Sequence, residues 1–237
     1  MEIAPHWAAL GLATLAGLSI PLGASLAVVR FNVFPEWLGS ELRHGVVAFG
    51  AGALLAAVAL VLLPEGSARL SALPALGWFL AGGIGFALID RAVAASGGKL
   101  AQFLAMMMDY LPEAMALGAL ITGNLETALL VALLIALQNL PEGFNAMREM
   151  SEASGKRPPL WLFFLMVPLG PLAACIGLLL PATYDPVIGA VMMLASGGII
   201  YLMFQDIAPE VPLENTMLPP LGAILGFSVG LAGHLLI

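Results

Sequence analysis

Long apolar runs, each broken by a few polar residues, repeat from one end of the chain to the other. At roughly 20 apolar residues per membrane crossing, the pattern predicts eight helices, over about 7–29, 44–63, 73–94, 100–122, 126–147, 160–181, 186–208 and 217–237. The connections between them are short and leave no room for a soluble domain, so residues 1–237 read as one transmembrane domain. The longest polar connection, Arg148 to Pro159, has turn composition and divides five spans from three.

Composition agrees. Of 237 residues 61% are hydrophobic and 10% charged, with a mean hydropathy of +1.01, where globular chains carry about 25% charged residues. The expected class is an all-α polytopic membrane protein. Orientation follows from the basic residues: with both termini outside the cytoplasm, the inner loops hold Arg30, Arg43, Arg91, Lys99, Arg148, Lys156 and Arg157, and the outer loops hold Arg69. That asymmetry satisfies the positive-inside rule. The net charge of −7 modestly favours cations near the mouths and gives nucleic acid nothing to bind. The start, Met1-Glu2-Ile3-Ala4-Pro5-His6, lacks the cationic region of a signal peptide, so the first helix is expected to be retained. Multi-pass insertion in a bacterial inner membrane fits these features. Cys175 stands alone, which leaves neither an intrachain disulfide nor a thiolate cluster.

Two near-copies of one phrase interrupt the apolar background. Asp109-Tyr110-Leu111-Pro112-Glu113-Ala114 and Gln138-Asn139-Leu140-Pro141-Glu142-Gly143 lie 29 residues apart in the fourth and fifth predicted spans. A charged side chain at mid-bilayer costs about 2.5–3.5 kcal/mol on insertion scales, so Asp109, Glu113 and Glu142 read as functional groups, and holding a cation is the function that suits them. Positions i and i+4 of a helix share a face. Asp109 and Glu113 therefore point one way from the fourth span, and Gln138 and Glu142 point one way from the fifth. Where those faces meet, three carboxylates and an amide supply the oxygen shell of a divalent ion. Pro112 and Pro141 each withhold an N–H and release the carbonyl one turn back, adding backbone oxygen at that depth.

A second echo joins the second and seventh spans. Gly52, Pro64 and Glu65 match Gly197, Pro209 and Glu210 at a constant offset of 145. Under the orientation above the two spans run in opposite directions, which is the mark of an inverted repeat with substrate bound near the midplane. The glycine pairs and triplets along these spans are read as helix-packing surfaces.

The fourth and fifth spans resemble helices four and five of the ZIP (Zrt/Irt-like) metal transporters, which read His-Asn-x-Pro-Glu/Asp-Gly and His/Gln-Glu/Asp-x-Pro-Glu/His-Gly/Glu. The end of the second span, Leu62-Leu63-Pro64-Glu65-Gly66, is similar to that family's second helix, and Gln205-Asp206-Ile207-Ala208-Pro209-Glu210 to the acidic end of its seventh. The resemblance covers nearly the whole chain. It implies eight helices in a 3+2+3 arrangement, helices 1–3 (about 7–94) and 6–8 (about 160–237) being inverted repeats around helices 4–5 (about 100–147). It also implies a primary metal site from Asp109, Glu113, Gln138 and Glu142, and an adjoining site to which Asn139 and Asp206 contribute, with Gln205 as neighbour. The chain departs from the pattern at two positions: Asp109 stands where the family has histidine, and Tyr110 where it has asparagine.

His6, His44 and His234 fall near span ends, so the core site is all oxygen, and its preference shifts from zinc toward manganese, ferrous iron or magnesium. The expected activity is movement of a divalent metal (Mn, Fe or Zn) toward the cytoplasm, with the ion as transported substrate and no organic cofactor. Metal ions and the lipid bilayer are the expected partners, and a homodimer is left open. Without a Walker motif the driving force must come from gradients, and metal entry into clustered acids offers proton linkage. Catalysis is not expected: no His-Glu-x-x-His motif occurs, and no interior histidine exists to serve a serine nucleophile. The alternative is a transport-inactive relative acting as a sensor or interaction partner.

The remaining candidates have plainer readings. Met106-Met107-Met108 fans around its helix and suits soft packing. Asp90 with Arg91 suits an interfacial ion pair or a snorkelled charge. Glu65 and Glu210 could attract or hand off ions, and Asn145 could line the inner half of a route.

Overall fold

The computed structural model describes residues 5–28, 36–95, 101–121, 123–179, 185–210 and 216–236; Arg30 and Lys99 lie outside them, and Asp206 and Glu210 are described by backbone alone. In chain order the helices are α1 (Pro5–Val28), α2 (Glu36–Ala57), α3 (Leu63–Ala68), α4 (Ala72–Ala95), α5 (Ala101–Leu120), α6 (Leu125–Ser154), α7 (Trp161–Phe164), α8 (Leu169–Leu179), α9 (Asp185–Leu202), α10 (Ala208–Glu210) and α11 (Leu218–Leu236). A π-helical turn, Val58–Leu62, joins α2 to α3, and a second, Met203–Ile207, joins α9 to α10. Among the described residues there is no strand.

Among the described residues, seven helical spans are long and apolar enough to cross a membrane. The α5 helix, at 20 residues, is about 30 Å long, which matches the hydrocarbon thickness. The protein is all-helical, and its helices fall on the spans expected from the apolar runs.

Two boundaries differ from expectation, for local reasons. The apolar fifth span covers Leu125–Arg148, as expected, but its helix continues past that point: α6 runs 30 residues, Leu125–Ser154, with the N-cap Asn124 side chain accepting from the Thr127 N–H at 3.0 Å and Gly155 beyond its end at a left-handed φ of 65°. The segment from Arg148 to Ala153 is composed largely of helix formers, so half of the polar connection is helix rather than turn. The sixth span is broken. Ahead of Pro168 the ladder tightens to i→i+3 bonds, Met166 N–H to Phe163 O at 3.1 Å and Val167 N–H to Phe164 O at 3.2 Å, because proline cannot continue the α pattern.

Inside and outside are sorted by size rather than by polarity. On α1 the buried positions include Ala9, Ala13, Ala16, Ile20 and Ala24, and the exposed ones include Trp7, Leu15, Leu18 and Leu22. On α11 the buried row is Pro219, Gly222, Gly226 and Gly230, with Leu221, Ile224 and Leu225 facing outward. Apolar side chains gain little from burial against one another when the alternative is lipid, so close approach of backbones decides which face turns inward.

The principal packing pairs are α1 with α6, α2 with α11, α4 with α9, and α5 with α8; α1 also meets α8, α5 meets α6, α2 meets α6 and α5 meets α9. Glycine sets the closest of these. A Cβ on Gly52 would strike the Ala223 carbonyl of α11, and one on Gly226 would strike Phe49 O of α2; likewise Gly197 faces Phe79 O of α4, and Gly82 faces Leu194 O of α9. The same reciprocal contact joins Gly23 and Gly143 to Leu140 O and Ile20 O, and Gly118 and Gly177 to Ala174 O and Met115 O.

The two π turns stand 145 residues apart, at the offset of the sequence echo. Leu63 N–H bonds Val58 O, and Ala208 N–H bonds Met203 O, each an i→i−5 bond. Each turn is followed by Pro64 or Pro209, whose missing N–H interrupts the α ladder.

Candidate functional site

The α5 and α6 helices pack together, and each carries its Pro-Glu phrase inside the helix rather than at an end. Asp109, Glu113, Gln138 and Asn139 are buried, at 5%, 1%, 0% and 1% exposure, and Glu142 is half-buried. The i,i+4 geometry expected from the sequence brings the two faces into contact. Gln138 Nε2 donates to Glu113 Oε2 across the helix pair, and the carboxyl groups of Asp109 and Glu142 lie within hydrogen-bonding reach of each other.

These two cross-helix pairs leave polar atoms over. Asp109 Oδ1, Glu113 Oε1, Gln138 Oε1 and Asn139 Nδ2 are buried without a hydrogen-bond partner. A buried acceptor left unpaired costs about 1–3 kcal/mol, and here three oxygens on facing helices carry that cost together. The carboxylates meet in pairs with each other or with the amide. Among the described residues no three His, Cys, Asp or Glu side chains converge on one point as ligands of a single metal ion.

Gly50 of α2 completes the wall of the cluster, since a Cβ there would meet the Pro141 ring and approach Gln138 O. Tyr110, one residue from Asp109, turns elsewhere. Its hydroxyl donates to Ala13 O on α1 at 3.1 Å, and its ring end lies against Gly17 of α1 and Gly170 of α8, where a Cβ on either glycine would collide with it. Tyrosine thus fixes the α1–α5–α8 contact.

Gln205 is exposed, and no hydrogen bond among the described residues joins it to the buried groups. Asp206 lies on the second π turn, and its side chain is outside the described residues. Asn139 is buried beside Gln138 on α6, and half-buried Asn145 lies one turn beyond Glu142 on the same helix.

Other acids have partners that sequence reasoning did not assign. Asp90 accepts from the Tyr201 hydroxyl of α9 at 2.9 Å, so its partner is a neighbouring helix rather than Arg91. Glu65 is ion-paired with Arg69, which also reaches Asp185 at 3.0 Å. This arrangement ties the α3 end to the start of α9, and Glu65 is held in a charge cluster instead of standing open to ions. His6 and His234 are exposed, and His44 is half-buried within 3.4 Å of the Arg43 guanidinium. Cys175 is a free thiol on α8. No protein-family model matches the chain, and no curated protein matches it.

Proposed function

We propose that the chain is a membrane transporter that moves divalent metal ions toward the cytoplasm through a midplane site on α5 and α6. The observation that carries this reading is the cluster of buried Asp109, Glu113 and Gln138 with half-buried Glu142, three of whose oxygens are buried without a partner. Unpaired oxygen donors at bilayer depth are what an ion that sheds its water requires.

Two carboxyl groups share a hydrogen bond only when one holds a proton, so an entering cation displaces that proton from the Asp109–Glu142 pair and opens the Glu113–Gln138 pair. The three carboxylates and the Gln138 oxygen then turn to the ion. All-oxygen ligation favours manganese or ferrous iron over zinc.

The packing supports the 3+2+3 arrangement with inverted outer triplets that the ZIP resemblance implies. Exchanging the first span with the sixth, the second with the seventh, the third with the eighth and the fourth with the fifth turns each principal helix contact into another contact of the bundle. It carries the Gly52–Ala223 contact into Gly197–Phe79, and the first π turn into the second. Such halves exchange inward and outward exposure of a central site by moving against each other. The proposed setting is an inner membrane with both termini outside the cytoplasm.

Uptake of manganese, iron and zinc by the full chain in liposomes, read with a trapped metal indicator, tests the proposal. Wild-type protein is expected to load the vesicles, with Glu113→Ala and Glu142→Ala inactive. Uptake retained in both variants would remove this cluster from the mechanism. Binding without uptake would make the chain a sensor or interaction partner instead.

A further inference from the structure

We infer that the chain seats one acyl chain of a membrane phospholipid in the groove between α2, α11 and the second π turn. The groove has a volume of about 430 Å3, within the roughly 300–1,000 Å3 of small-ligand sites.

Its shape follows from residue size along the three elements. Ala48, Ala51, Gly52 and Leu55 recur at i, i+3, i+4 and i+7 of α2 and so share one face. Small residues there let α11 come close, and Gly52 admits the Ala223 carbonyl. Ala48 and Gly52 are buried at the bottom, whereas Phe204 of the π turn, Ile224 of α11 and Leu55 are exposed at the rim. Large side chains standing over small ones leave a slot rather than a flat face.

Ser228 is the polar side chain among the described lining residues, and its hydroxyl already donates to Ile224 O at 2.7 Å. A polar group placed in the groove would lose its hydrogen bonds. Both α2 and α11 belong to spans long and apolar enough to cross a membrane, so the slot opens on hydrocarbon. Left empty, its lining would forfeit dispersion contacts, and a lipid chain is the flexible apolar body present at that depth.

The internal echo points to the same kind of occupant. At the offset of 145 that relates the two π turns, Ala48 corresponds to Met193 and Phe204 to Ala59. Met193 is buried, and its Sδ lies 3.1 Å from where a Cβ on Gly66 would stand. One half of the echo thus packs an unbranched apolar side chain of its own beside the helix that follows its π turn. The other half holds Ala48 and leaves room for a chain from the bilayer, which would lie along Met203 and Phe204 and brace the second π turn against α2. The inference rests on the protein lying in a membrane and not on metal transport.

Photolabelling of the full chain in phosphatidylcholine liposomes tests it, the probe being phosphatidylcholine with a diazirine midway along one acyl chain. After digestion and mass spectrometry, labels are expected to concentrate on residues 48–55, 203–208 and 223–228, well above the outward-facing residues 80–88 of α4. Ala51→Leu fills the slot and is expected to cut labelling of the groove about tenfold, because an added side chain and a lipid chain cannot share one volume. Phe204→Ala removes an exposed wall without adding bulk and is expected to lower groove labelling as well, and both variants should leave residues 80–88 labelled as in the wild type. An even spread of label over all outward faces, or unchanged groove labelling in either variant, overturns the site. A dimer, seen by native mass spectrometry, that excludes the label gives the groove to a second copy and overturns the lipid assignment.

Discussion

The Gln138 amide nitrogen donates to Glu113 Oε2 across the α5–α6 crossing, at a point where both side chains are removed from solvent. The amide therefore orients one acid of the cluster while its own oxygen stays unpaired. Gln138→Leu leaves Glu113 without this donor. It should lower stability by about 1–3 kcal/mol, visible as a drop in the thermal midpoint of the detergent-solubilised chain. An unchanged midpoint would mean that Glu113 finds another partner.

Tyr110 follows Asp109 in sequence but serves packing. Tyr110→Phe keeps the ring between Gly17 and Gly170 and removes only the bond to Ala13 O, so a loss of about 0.5–1.5 kcal/mol is expected. Metal affinity, measured by titration calorimetry, should stay within about twofold of wild type, well inside the tenfold that 1.4 kcal/mol represents. A large affinity loss would place the phenol among the ligands.

The reciprocal glycine contacts make the repeat testable without reference to transport. Gly52→Ala drives a methyl group into Ala223 O, and Gly197→Ala drives one into Phe79 O. Both meet backbone, which cannot rotate away, so each should cost about 1–3 kcal/mol. Gly77 and Gly85 of α4 have nothing within 4 Å; alanine there should be neutral or stabilising by up to about 1 kcal/mol. Thermal unfolding of the four variants separates the sets, and a destabilised Gly77→Ala would contradict the packing described.

The positions of the helices were legible because bilayer thickness fixes span length, and the apolar runs mark it directly. The pairing of Asp109 with Glu113 and of Gln138 with Glu142 on common faces was legible too, because helical geometry fixes it. Which faces would meet was less open to reading: α1 and α11 turn small residues inward and large apolar ones outward, and hydropathy treats both alike. The partners of Asp90 and Glu65 were hidden for another reason. Tyr201 and Asp185 lie more than a hundred residues away in sequence, and only the fold brings them near. The resemblance that suggested an adjoining site could not indicate that Tyr110 would be taken up between α1 and α8.

The Asp109–Glu142 contact gives proton dependence a definite sign. A hydrogen bond between two carboxyl groups holds a proton, and a divalent cation that takes the same oxygens must release it. Acidification favours the protonated pair and so opposes the metal. The apparent KM for uptake should therefore rise as external pH falls, by up to about tenfold per pH unit for one proton exchanged. Asp109→Asn retains a donor to Glu142 but removes this exchangeable proton. Its apparent KM should be raised at every pH and should vary less steeply. Initial uptake rates at several metal concentrations, measured across a pH series for wild type and variant, decide the matter. A KM independent of pH in the wild type, or an equal slope in Asp109→Asn, would show that the pair does not exchange its proton for the ion.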